Sequence, residues 1–161
     1  MHIGNSDVEE TIILQLPYDD LKKLCQSNKM MYSFCKTNNV LQSRFRRIND
    51  IIKFVFDSIP KTDYDYRSFI HGDHVHIDFI ISNTLTGDLL SNIMRKHHIK
   101  YNLRSFNKFN TLSIFYYKFD EYAISIEMSN PKSTTYVYVD KEKLIPLLFE
   151  LLYDGYIIYI S

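Results

Sequence analysis

The chain has no tryptophan, and only four glycines, four prolines and two cysteines in 161 residues. Each shortage removes a class of structure. So little Gly and Pro speaks against long flexible linkers. Two cysteines, Cys25 and Cys35, cannot make a disulfide framework. Both fall inside apolar helical patterns and read as small buried thiols in a reducing compartment. Neither sign of charge is in excess: 19 Lys and Arg meet 19 Asp and Glu. That balance argues against a nucleic-acid footprint over the whole domain, though a local patch stays open. Long apolar runs are also missing. Leu144–Leu152 is interrupted by Pro146 and Glu150 and is too short to cross a bilayer. The polar, acidic stretch Met1–Glu10 does not have the form of a signal peptide. These features predict a soluble, intracellular, cytoplasmic protein with no membrane partner.

What is present suits a packed core. The hydrophobic fraction is 45% and the charged fraction 24%, both ordinary for a globular protein of one domain or two small units. Thirteen Tyr and eleven Phe supply the aromatic content. The bias toward Ile, Asn, Lys, Tyr and Phe fits an AT-rich genome such as that of a large DNA virus, in which case the cytoplasm is that of a host.

Residues 7–15 read as a short helix with Ser6 or Asp7 as its cap and Glu9 and Glu10 in the first turn. Pro17 breaks the pattern, and Asp19 or Asp20 can start a second helix carrying Leu21, Leu24 and Cys25. Asn28 interrupts it before an apolar stripe of Met30, Met31, Phe34 and Cys35. After the turn signal Thr37–Asn38–Asn39, the longest helix runs from about residue 40 to 58. Leu41, Phe45, Ile48, Ile52, Val55 and Phe56 form its apolar face. Turn formers crowd 59–73 and mark the candidate boundary, with a helical segment 1–58 before it and an α+β domain 59–161 after it.

Past that boundary the period changes to two, with Val75, Ile77, Phe79 and Ile81 on one face of a strand. A helix capped by Thr84 or Thr86 runs to about His98. Strands follow at 111–117, 122–128 and 135–139, linked by turns at Phe119–Asp120 and Asn130–Pro131. Asp140 starts a helix through Tyr153 that Gly155 ends, and 156–160 makes a last strand. Adjacent strands and tight turns predict an α+β fold: a helical N-terminal segment, then a mainly antiparallel sheet with two packed helices.

Residues 10–45 resemble an F-box, and more closely the divergent F-box-like segments of giant DNA viruses. The matching residues are Leu16, Pro17, Asp20, Leu21, Leu24, Cys25, Asn28, Lys29 and Cys35. Asp7–Glu9 stands where the family has an opening Leu-Pro pair, and Val40–Leu41 where it has a Trp. The resemblance implies docking to a Skp-type adaptor of a cullin ubiquitin ligase, with Leu16, Pro17, Leu21 and Leu24 at the contact. A separate C-terminal domain would capture the target. The alternative is that these helices pack as ordinary core elements.

Three other constellations carry chemistry. On a strand, His74, His76 and Asp78 share a face, with His71 and Asp73 just before them, and such side chains can hold zinc. A fourth ligand is not evident, so the stretch reads as the solvent face of a half-buried strand, and neither metal nor cofactor is expected. From Arg95 to Lys118 the chain is basic and interleaved with aromatics. Arg95, Lys96, Lys100, Arg104 and Lys108 could therefore neutralise phosphates. The same residues also suit a solvated helix end. Tyr116, Tyr117, Tyr136, Tyr138 and Tyr159 could leave an aromatic sheet face for a partner, a second copy of the chain included. No Gly-x-Ser-x-Gly elbow and no phosphate-binding Gly-rich loop occurs. The sequence predicts a non-catalytic interaction or adaptor protein, with DNA binding or a structural viral role as alternatives.

Overall fold

The computed structural model describes residues 7–61, 75–101, 109–129 and 132–160. Six helices and five strands occur among them. The order is α1 (Asp7–Leu14), α2 (Tyr18–Cys25), α3 (Lys29–Thr37), α4 (Asn39–Ser58), β1 (His76–Ile81) and α5 (Gly87–Lys96). Then come β2 (Phe109–Lys118), β3 (Glu121–Ser129), β4 (Lys132–Asp140), α6 (Lys141–Tyr153) and β5 (Ile157–Ile160). The α+β class read from the pattern is the observed one. The chain forms two compact units, Met1–Asp50 and Ile51–Ser161, and α4 runs from the first into the second. Most of the turn-rich stretch expected to divide the chain lies outside the described residues. The last turns of α4 belong with the sheet unit, where the Phe56 ring stands edge-on to Tyr122 at 5.0 Å.

In the helical unit, asparagines set the breaks between helices. Asn28 caps α3 by accepting from the Met31 N–H at 2.9 Å. Asn38 does the same for α4 through the Leu41 N–H, while its amide donates to Glu10 on α1. A single extended residue thus ends α3, starts α4 and ties both to α1. The Arg44 guanidinium donates to the Leu14 carbonyl at 2.7 Å, satisfying an acceptor at the end of α1. The expected cap of α2 does not occur. Pro17 holds the N-cap position without a side-chain hydrogen bond, and Asp19 and Asp20 lie in the first turn. Proline suits this place, because the missing N–H would be an orphan donor anyway.

The sheet is antiparallel throughout, in the order β4-β3-β2-β1-β5. Register places Ile77 opposite Ile114, Ile114 opposite Ile124, and Ile124 opposite Val137, so one apolar row crosses four strands. Phe79, Leu112 and Ile126 make the next row, and all three are fully buried. Helices α5 and α6 bury Leu90, Ile93 and Met94, and Leu144, Leu147, Leu148 and Leu151. The β2–β3 turn is the expected one. Phe119 and Asp120 both take left-handed backbone, with φ of 52° and 60°. That pairing matches the twist of a two-residue hairpin and costs non-glycine residues some strain. Two contacts hold it: Lys61 Nζ reaches Asp120 Oδ1 at 2.9 Å, and the Asp120 N–H donates to the Tyr116 hydroxyl.

Both sheet-unit helices end alike. At the end of α6 the Tyr156 N–H reaches the Leu151 carbonyl, and the Gly155 N–H that of Leu152, around Gly155 at φ 75°. At the end of α5 the Ile99 N–H reaches Met94 and the His98 N–H reaches Arg95, around His98 at φ 60°. This six-to-one closure favours glycine at its left-handed position. Histidine at 98 is the strained case. His98→Gly is expected to raise stability by about 0.5–1 kcal/mol, read as a higher denaturation midpoint with an unchanged slope.

Candidate docking groove in the helical unit

The helical unit holds a groove of about 370 Å³ lined by residues of α2, α3 and α4. Tyr18, Leu21, Tyr32 and Phe45 give it an apolar lining, and Lys22, Lys36, Gln26 and Gln42 a polar one. The Tyr18 and Phe45 rings meet edge to face at 6.5 Å. Lys22 stands 5.6 Å over the Tyr18 ring and Lys36 5.4 Å over Tyr32. These cation–π contacts keep two positive charges beside aromatic surface. Tyr32 is 56% exposed, and the unit also exposes Ile12, Met30 and Val40.

Cys25 and Cys35 line the same groove and are joined as a disulfide, their Cα atoms 5.9 Å apart. The expectation of free thiols is therefore corrected. The break at Asn28 redirects the chain between α2 and α3, and Cys25 at the end of α2 comes within bonding reach of Cys35 in the last turn of α3. A spacing of ten residues does not reveal such a meeting.

The residues expected to meet a partner are placed unequally. Leu21 is 1% exposed, so it supports the groove from beneath. Leu16 and Leu24 are half-buried, and Pro17 is exposed. Tyr32, Phe45 and Lys36 were not singled out for this site. Phe45 had a signal as part of the apolar face of α4, while Tyr32 and Lys36 fall outside the α3 stripe of Met30, Met31, Phe34 and Cys35.

The basic segment is only partly described, since Arg104 and Lys108 lie outside the described residues. Arg95 and Lys100 are exposed. Lys96 Nζ sits 2.7 Å from Glu150 Oε2, and His97 Nε2 sits 3.1 Å from Oε1. Glu150 is 4% exposed. Burial alone would push its carboxyl up, but the hydrogen bonds from His97 and Lys96, with their charge, outweigh that and hold it below the ordinary 4.5. The Lys96 charge is thereby engaged within the sheet unit.

Of the histidine-rich stretch, His71, Asp73 and His74 lie outside the described residues. His76 Nε2 is 3.4 Å from Asp78 Oδ1, to which the Ser113 hydroxyl also donates. A nucleophilic triad needs the imidazole between hydroxyl and carboxylate. Here the carboxylate stands in the middle. Among the described residues, no three His, Cys, Asp or Glu come together to hold a metal ion. On the same sheet face Tyr136 and Tyr138 are 40% and 45% exposed, with Phe115 edge-on to Tyr136 and Tyr117 tilted on Tyr138.

No helix among the described residues is long and apolar enough to cross a membrane. Compared with protein-family models, curated proteins and solved structures, the chain matches none.

Proposed function

We propose that the chain is a non-catalytic interaction protein whose helical unit docks a partner in the groove of α2, α3 and α4. The observation that carries this reading is the groove's composition: aromatic side chains with two lysines seated over two of the rings. Such a groove suits an amphipathic helix that brings apolar anchors and carboxylates. The F-box-like residues 10–45 suggest who supplies that helix, namely a Skp-type adaptor of a cullin ubiquitin ligase. In that scheme the α+β unit captures the target, with the aromatic sheet face around Tyr136 and Tyr138 as its contact surface.

Calorimetric titration of the full chain with a purified Skp-type adaptor tests this. Saturable one-to-one binding is expected, weakening as salt rises because Lys22 and Lys36 are partly in water. Tyr32→Ala should cost about tenfold or more in affinity, as removal of an aromatic anchor does. Heat changes no larger than dilution, at concentrations far above micromolar, would end the adaptor reading.

A further inference from the structure

The Cys25–Cys35 bond lies where a small reagent can reach it. Both cysteines line the open groove, Cys25 half-buried and Cys35 only 7% exposed. Lys22 and Lys36 line the same space and favour the approach of an anionic thiolate. What the bond holds is equally specific. Helix α2 has eight residues and no side-chain cap, so it is too short to persist by itself. Its other ties include burial of Leu21 and the edge contact of Tyr18 with Phe45. Helix α3 is capped by Asn28 and is held to α4 independently, by the Gln42 side chain donating to the Cys35 carbonyl, with Met31 buried.

We propose that Cys25–Cys35 is a reversible thiol–disulfide exchange site, reached through the groove, whose state sets whether α2 is held in place as a groove wall. The reductant is a thiol or dithiol of low molecular weight. Its thiolate attacks Cys25 Sγ, the sulfur–sulfur bond breaks, and Cys35 leaves as a thiolate that takes a proton from water. A second thiol then attacks the mixed disulfide and frees Cys25. One protein disulfide and two thiols give one protein dithiol and one reagent disulfide, a balanced two-electron exchange. Opened, the site releases α2 while α3 keeps its place on α4. This holds whatever the groove binds.

The test uses the full chain without any partner, in a buffer containing reduced and oxidised glutathione and no denaturant. Maleimide labelling with mass detection gives the reduced fraction, and amide hydrogen exchange gives local protection. The expected result is full reduction in millimolar reduced glutathione, with α2 amides exchanging about tenfold or more faster. Amides of β2 and β3 should not change, and re-oxidation should restore the original pattern. A bond that yields only in denaturant would overturn the proposal, and so would reduction that leaves α2 protection unchanged. The Cys25→Ser/Cys35→Ser variant should reproduce the reduced pattern. Should that variant not fold, the reduced wild-type chain decides. Failure of a Skp-type adaptor to bind would leave these exchange results standing, so the two readings fail separately.

Discussion

Replacing both Cys25 and Cys35 with serine is expected to lower the stability of the helical unit by about 3 kcal/mol. The bond closes a loop with a sequence separation of ten. Chain-entropy arithmetic for a loop of that length gives about 2.7 kcal/mol at 25 °C, because the cross-link removes open conformations from the unfolded ensemble. For a unit of this size that is a large share of the total. The measurement is a denaturant titration of the wild type and the double-serine variant, followed by signals from the helical and sheet units separately. A loss confined to the helical unit fits the account. An equal loss in both units, or none, does not.

Glu150→Ala is expected to destabilise the sheet unit by about 3 kcal/mol. The carboxylate is nearly fully buried and takes bonds from Lys96 and His97 at the end of α5. Removing one member of a buried pair strands the others. The expected loss is at the lower end for such changes, because the Lys96 side chain is 41% exposed and can turn to water. The pH dependence follows from the same contacts. Glu150 titrates below its ordinary 4.5 when folded, so its contribution is complete above that value. It is lost as pH falls through the depressed folded value, where the unfolded chain already binds the proton. Glu150→Gln should therefore be less stable at neutral pH and should show a flatter acid limb. A Lys96→Ala partner completes a double-mutant cycle, and a coupling near zero would contradict the ion-pair geometry.

The sheet was legible because its signals are local. Alternation of Ile77, Phe79 and Ile81 marks one strand. The short separation between the apolar runs around Ile114 and Ile124 forces a hairpin at Phe119–Asp120. Thr86 capping α5 and Gly155 closing α6 are single-residue chemistry with few alternatives. The groove was less legible because it is made of meetings. Phe45 belongs to the apolar pattern of α4, whereas Tyr32 stands outside that of α3, and neither pattern says which faces join. Glu150 stood inside an apolar helical run and read only as an interruption. Its partners, Lys96 and His97, lie more than fifty residues earlier, a separation no pattern spans. The disulfide was missed for a like reason. Two cysteines give a count, whereas bonding needs the change of chain direction between α2 and α3, at the helix break that Asn28 caps.

The most direct test of the central claim is an amide hydrogen-exchange footprint of the full chain with and without a saturating Skp-type adaptor. Docking in the groove predicts slower exchange across residues 18–37 and the first turns of α4, with β1, β2 and β3 unchanged. Protection that falls only on the sheet unit, or nowhere, would contradict the account.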